Sequence, residues 1–74
     1  MPYEYATAVG VVRLVKLRRG WTVVFNGRRG GQWPTADEAA RAVAGHISGV
    51  PGWDQAQAEA PADLLRWRPL GDSV

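Results

Sequence analysis

Valine sets the pattern of the first third of the chain. Residues 9–18 read VGVVRLVKLR. Val9, Val11, Val15 and Leu17 share one parity, interrupted only by Arg13, while Val12 and Leu14 share the other with Lys16 and Arg18. This alternation in β-branched residues predicts a strand. Its first set faces the core, and its second forms a basic, partly apolar face. Gly20 marks a turn. Residues 21–25, WTVVF, predict a second strand, with Trp21, Val23 and Phe25 on one side and Thr22 and Val24 on the other.

Asn26-Gly27 follows at once. Both central residues of a two-residue type I′ turn need positive φ, and Asn-Gly is the pair best suited to it. The return strand is then Arg28–Trp33. A simple register pairs Phe25 with Arg28 and Trp21 with Gln32, which leaves Trp33 on the face opposite Trp21. A glycine bulge at Gly30-Gly31 would shift the parity by one and return Trp33 to the core. Without it Trp33 is an exposed contact. Burial is the commoner fate of tryptophan, and it is the outcome expected.

Residues 34–38, PTADE, carry helix-start chemistry. Thr35 is an N-cap and Glu38, three residues on, completes a capping box. Asp37 and Glu38 suit the positive end of the helix dipole. The helix is expected from Ala36 to about Ser48, with Ala36, Ala39, Ala40, Val43 and Ile47 as its apolar stripe. Gly49 supplies the stop and Pro51 follows it. Residues 50–63 form a connector, in which Asp54 to Ala60 is either a short turn capped by Asp54 or a loose loop. Residues 64–68, LLRWR, predict a last strand with Leu65 and Trp67 inward and Leu64, Arg66 and Arg68 outward. Pro69 suits a strand end. The order is β-β-β-α-β: a single α+β domain over residues 1–74, with a small antiparallel three- to four-stranded sheet packed on one helix. The other sheet face has nothing left to cover it, and function would most simply sit there.

At 74 residues the chain is near the lower limit for folding without staples. It has no cysteine, so disulfides and thiolate metal sites are excluded. An apolar fraction of 46% against 22% charged residues is globular rather than disordered. No apolar run approaches the roughly 20 residues of a membrane span, and no signal-peptide region follows Met1. A soluble, cytoplasmic protein is expected.

Charge is unevenly spread. Residues 1–33 hold Arg13, Lys16, Arg18, Arg19, Arg28 and Arg29 against Glu4 alone, a net of +5. Residues 34–74 hold Arg41, Arg66 and Arg68 against Asp37, Glu38, Asp54, Glu59, Asp63 and Asp72, a net of −3. This asymmetry points to one face made for an anionic partner, or else to a solvated surface.

Catalytic chemistry is not visible. His46, the one histidine, falls late in the helix and reads as a surface residue suited to the negative end of the dipole. Ser48 and Ser73 lack a nucleophile motif. Asp37 and Glu38 are adjacent on a helix and diverge by about 100°, so they cannot pair as acid and base. No metal-ligand spacing occurs. Gly27-Arg28-Arg29-Gly30-Gly31 sits in a hairpin and matches no phosphate loop. The chain reads as a non-enzyme without cofactor or small-molecule substrate.

Binding chemistry is better represented. Arg13, Lys16, Arg18, Arg19, Arg28 and Arg29 fall on consecutive strands and turns near Trp21 and Trp33. Basic strands with interleaved aromatics read DNA grooves or stack on single strands. Five or six phosphate contacts would give a log K against log salt slope of about −5. The same residues also serve to cover an apolar sheet face and protect strand edges. Trp53, between Gly52 and Asp54, is either a core plug or an exposed anchor.

Gly20-Trp21-Thr22-Val23, Gly31-Gln32-Trp33 and Thr35-Ala36-Asp37-Glu38-Ala39-Ala40-Arg41-Ala42 together resemble the plant ethylene-response-factor DNA-binding domain and the arm-binding domains of phage integrases. The resemblance covers about residues 11–44. Trp21 matches that family's second-strand tryptophan, and Trp33 its phenylalanine. The hairpin is shorter here, and Val43-Ala44 replaces the family's Tyr-Asp. The resemblance implies a three-stranded sheet packed on a helix and entering the major groove. In layout the chain is also similar to small phage inhibitors such as anti-CRISPR proteins, which occupy the surface of a nucleic-acid-handling complex without catalysis. The expected function is therefore a non-catalytic, inhibitor-like binding protein from a phage or mobile element. A DNA-binding module is the alternative, and a structural subunit a third reading. The candidate binding residues are Arg13, Lys16, Arg18, Arg19, Arg28, Arg29 and Trp53. The partner is a protein complex or a nucleic acid, with no membrane involved.

Overall fold

Asn26 and Gly27 take positive φ of 53° and 78° and reverse the chain in two residues, as a type I′ hairpin requires. In this computed structural model, which describes residues 2–70, the hairpin belongs to one antiparallel sheet of five strands. These are β1 (Tyr3–Thr7), β2 (Gly10–Leu17), β3 (Gly20–Phe25), β4 (Arg28–Trp33) and β5 (Arg68–Pro69), in the spatial order β4-β3-β2-β1-β5. Helix α1 (Ala36–Ala44) covers one face, followed by the short helix α2 (Pro51–Asp54) and a 3-10 turn at Leu64–Arg66. The α+β class holds. The sheet is wider than the expected three to four strands because Tyr3–Thr7 adds β1 beside β2.

The glycine bulge forms. Trp21 pairs with Trp33 and Thr22 with Gln32, and the register slips between Thr22 and Val24. Trp33 therefore lies on the helix side with Trp21. Gly30 also makes room for the chain after α1, since a Cβ there would collide with the Ser48 carbonyl oxygen. Gly31 N–H donates to that same oxygen at 2.8 Å. The loop after α1 is thus bonded onto the bulge and covers part of the β4 edge.

The faces of β2 are the reverse of those expected. Val12 and Leu14 are fully buried against the helix layer, while Val11 is 42% exposed and Val15 and Leu17 lie on the other side. Register decides this. The β2–β3 turn is Arg18-Arg19, not Gly20, and it pairs Leu14 with Val23 and Val12 with Phe25. On the other side of β2, Tyr3 pairs with Leu14 and Tyr5 with Val12. The parity that carries the aromatic rings removes more apolar area from water than the valine parity does, so it becomes the core.

Helix α1 starts as expected, with Thr35 Oγ1 accepting from Glu38 N–H at 3.2 Å. It stops earlier, at Ala44 rather than Ser48. Ile47 N–H donates to Ala42 O at 2.9 Å and His46 N–H to Val43 O at 3.1 Å, the paired closure of a Schellman motif. The stop is therefore at Gly45-His46 and not at Gly49. Ile47, expected in the apolar stripe, is 70% exposed. His46 holds φ at 57°, a place where glycine is usual. Its ring stacks on Trp53 at 5.1 Å and 10°, and its Nδ1 lies 3.1 Å from Trp53 O.

Trp53 is the core plug, fully buried and the largest such side chain. The alanines of α1 fill little volume, and Trp53 supplies what they lack. It meets Phe25 edge-on at 5.6 Å and donates from Nε1 to Val43 O at 2.9 Å. The short helix ends at Asp54 rather than starting there. Asp54 instead accepts from Ser48 N–H, Ser48 Oγ and Gly49 N–H at 2.9, 2.8 and 3.0 Å.

The last strand is shorter than expected. Asp63 accepts from Leu65 N–H at 3.0 Å and starts the 3-10 turn. That rotation turns Leu65 out to 92% exposure and leaves Leu64 against the core. Trp67 is buried as expected, with Nε1 donating to Pro61 O at 2.8 Å. Ser73 lies outside the described residues.

These close approaches set the cost of substitution. Gly30→Ala forces the Ser48 loop off the bulge and should cost about 3 kcal/mol in urea unfolding. Gly27→Ala meets open space and should cost only about 1 kcal/mol of turn strain. At position 46, alanine loses the stacking and the hydrogen bond and keeps the left-handed backbone, whereas glycine relieves it. His46→Gly should thus be more stable than His46→Ala by about 1 kcal/mol.

Candidate functional site

No helix or strand among the described residues covers the sheet face opposite α1. Its composition follows from register. Residues paired directly across neighbouring strands share a face. Arg29 pairs with Val24, Val24 with Arg13, Arg13 with Glu4, and Glu4 with Arg68. One line across all five strands therefore reads Arg29–Val24–Arg13–Glu4–Arg68. Strand spacing makes it about 19 Å long, with Arg13 and Arg29 about 10 Å apart at the backbone.

Aliphatic side chains stand on either side of this line. Val11 and Ala6 form the next open-face row on one side, and Val15, Thr22 and Gln32 the next on the other. Leu17 lies beyond, paired with Gly20. Thr22 Oγ1 donates to Gly31 O at 2.7 Å, which ties the bulge from the open side. Glu4 Oε2 lies 3.7 Å from Arg13 Nε, the arginine exposed and the carboxylate partly buried. The face is thus aliphatic, crossed by three arginines and one carboxylate, and among the described residues it holds no aromatic ring. Every tryptophan and tyrosine on the strands lies on the helix side.

The sequence-derived candidates scatter accordingly. Arg13 and Arg29 come together on the open face. Arg18 and Arg19 occupy the β2–β3 turn, and Gln32 Nε2 donates to Arg19 O at 3.1 Å. Arg28 sits at the opposite end of β3, about 17 Å away by strand rise. It pairs with Phe25 and so lies on the helix side. Lys16 pairs with Trp21 on the helix side too, and its Nζ donates to Leu17 O at 3.0 Å. Trp53 is a correction: it is buried in the core and is not a surface anchor. The expected stacking of bases on Trp21 and Trp33 is lost with their placement.

Arg68 and Glu4 join this surface without having been singled out in the sequence. The signal is present in Tyr3-Glu4-Tyr5-Ala6-Thr7, whose alternation places Glu4 on a strand beside Arg13.

Shallow clefts lie on the helix side. One, of about 630 Å³, is lined by Tyr5, Ala6, Thr7, Ala8, His46, Gln57, Ala58 and Glu59. An adjoining one of about 400 Å³ shares Tyr5, His46 and Glu59 and adds Arg66. Among the described residues no three histidine or carboxylate side chains stand close enough to hold a metal ion. No described helix is long and apolar enough to cross a membrane. No family model, curated protein or solved structure matches the chain.

Arg13 is exposed and Glu4 only partly so, and removing the pair tests how far the row is a surface feature. Glu4→Gln should change unfolding free energy by no more than about 0.5 kcal/mol, read by urea titration.

Proposed function

We propose that the protein is a non-catalytic docking module that covers part of a protein partner with its open sheet face. The arrangement suits an inhibitor-like protein that occupies the surface of a nucleic-acid-handling complex. The observation that carries the reading is the arginine line Arg29–Val24–Arg13–Glu4–Arg68 set among Val11, Val15 and Leu17. Aliphatic contact area with arginine anchors is what protein interfaces use. Phosphates give valine and leucine nothing to bind. A second copy of the chain is a poor occupant. Stacking this face on itself about an axis along or across the strands brings arginine against arginine. The partner patch is therefore apolar at its centre and carries carboxylates about 10–20 Å apart, matching the spacing of the arginines.

Duplex DNA is the second reading, favoured by the three arginines of the row and by the resemblance of residues 11–44 to sheet-reading domains. Against it stand the lack of aromatic rings among the described residues of this face and the width of the sheet. A major groove about 12 Å wide admits a two-stranded ribbon, whereas five strands span about 19 Å.

Two variants separate the readings. Arg13→Glu/Arg29→Glu removes the charge pattern, and Val24→Lys keeps the charge while spoiling the aliphatic centre. Under the protein reading, both should lose the same captured partner from a host lysate, while Glu38→Gln on the far layer retains it. Under the DNA reading, Val24→Lys strengthens duplex binding, and fluorescence anisotropy shows a log K against log salt slope of about −3 for three contacts. Partner capture unaffected by either face variant would overturn the docking reading.

A further inference from the structure

Arg28 stands apart from the arginine line. It pairs with Phe25 and lies on the helix side, whereas its neighbour Arg29 pairs with Val24 on the open face. On the helix side it meets the chain that follows α1. Phe25, Asn26, Arg28, Val50, Pro51 and Gly52 line a pocket of about 160 Å³ between the hairpin and α2. The apolar walls are held from behind. Phe25 is buried and sits edge-on to Trp53 at 5.6 Å. Val50 is buried too, with its N–H donating to Ser48 Oγ at 3.2 Å and its carbonyl accepting from Trp53 N–H and Asp54 N–H at 3.0 and 2.9 Å. A pocket formed in advance spares a ligand the cost of ordering it.

Gly52 keeps this pocket open. It lies within α2 and has no positive φ. A Cβ there would meet only the Phe25 ring, at ordinary contact distances of 3.8 and 3.9 Å. Neither backbone conformation nor crowding demands glycine, which is a poorer helix former than alanine. What glycine does at this position is leave the edge of the Phe25 ring uncovered. The volume sets the size of the occupant. It is below the ~300–1,000 Å³ of sites for drug-sized ligands and close to the roughly 150 Å³ of a cavity that holds benzene. One aromatic ring or one branched chain fits. Charge sets the chemistry. Arg28 is the only charged side chain lining the pocket, and among the described residues no carboxylate pairs with it. The carboxylate of α2, Asp54, is committed to Ser48 and Gly49. A guanidinium fork beside the Asn26 amide offers N–H donors, which a carboxylate accepts in pairs.

We propose that this pocket binds a small aryl or branched-alkyl carboxylate, with its apolar group against Phe25, Val50 and Pro51 and its carboxylate at Arg28 and Asn26. A free acid and the C-terminal residue of a peptide share this chemistry. A neutral compound of the same shape uses the apolar walls alone and binds less tightly. Arg28 is exposed, so the preference for the anion is modest, about threefold. The site is separate from the docking face, which uses Arg29 and not Arg28.

The test is an NMR titration of the full chain with benzoate and with its neutral counterpart benzamide. Benzoate should shift the Gly52 and Val50 amides and the Arg28 side chain, and should bind about threefold more tightly than benzamide. Nuclear Overhauser contacts from the benzoate ring to Phe25 and Val50 place the ligand without any substitution. Arg28→Gln should weaken benzoate about threefold and leave benzamide unchanged, while Arg41→Gln, on α1 and outside the pocket, should bind as the parent does. Gly52→Leu fills the space from a helical position and should abolish the binding of both compounds. N-acetylphenylalanine, set beside benzoate, distinguishes the sources: tighter binding assigns the site to a peptide end, weaker binding to a free acid. Equal affinity for benzoate and benzamide, equal loss in Arg28→Gln and Arg41→Gln, ring contacts elsewhere on the surface, or no shift at the solubility limit of benzoate would each overturn the proposal. Undiminished binding to a folded Gly52→Leu would overturn it as well. None of these readouts involves Arg13, Arg29 or Val24, so failure here leaves the docking face untouched.

Discussion

Trp53 is the side chain on which the rest of the packing depends. A buried tryptophan removes roughly 150–250 Å² from water. At about 25 cal/mol per Å² that is about 4–6 kcal/mol, as an upper estimate. A domain of this size has about 5–15 kcal/mol in total. The helix that precedes Trp53 cannot supply an equivalent, because its buried residues are Ala36, Ala39, Ala40, Ala42 and Val43. Several local features follow from seating that ring. Its indole N–H takes the Val43 carbonyl, which helps end α1 there. Its face holds the His46 imidazole and keeps a non-glycine residue in the left-handed region. The next residue, Asp54, ties down Ser48 and Gly49. Ser48 in turn reaches Gly31 across the bulge. One buried ring therefore connects the helix end, the cleft wall and the edge of β4.

With its rings committed to one side, the sheet has only aliphatic and charged residues for the other. This partition explains the character of the open face better than any single residue does. Tyr3, Tyr5, Trp21, Phe25 and Trp33 all fall on the parity that meets the helix layer. The remaining parity holds Val11, Val15, Leu17 and Val24, which keep strand propensity high without demanding burial. Arginine among them maintains solubility and leaves a surface that can still be desolvated by a partner.

Local signals are the legible part of the fold. The Asn26-Gly27 turn, the Gly30-Gly31 bulge that returns Trp33 to the core and the Thr35 cap each depend on residues within a few positions. The features that differ from expectation depend on distant partners. The face of β2 is set by which parity of β3 and β1 carries aromatic rings, whereas periodicity within 9–18 alone favours the valine set. Leu65 and Ile47 look like core residues in a linear pattern, but a 3-10 turn and a Schellman closure rotate them outward. The candidate surface is half legible. Arg13 and Arg29 stand out as basic strand residues. Their alignment with Glu4 and Arg68 requires β1, which pairs with β2 across a turn whose central residues, Ala8 and Val9, carry no turn signal, and β5, which starts only after the 3-10 turn.

Charge separation along the sequence becomes charge separation across the molecule. The open sheet face carries Arg13, Arg29 and Arg68 against Glu4, and Arg18 and Arg19 stand in the turn at its end. The helix layer carries Asp37, Glu38, Asp54, Glu59 and Asp63 against Arg41 and Arg66. At physiological ionic strength charges are screened over a Debye length of roughly 8 Å. An approaching surface therefore senses the nearer layer most strongly. An acidic protein patch is drawn to the sheet and turned away from the helices, which fixes its orientation before contact.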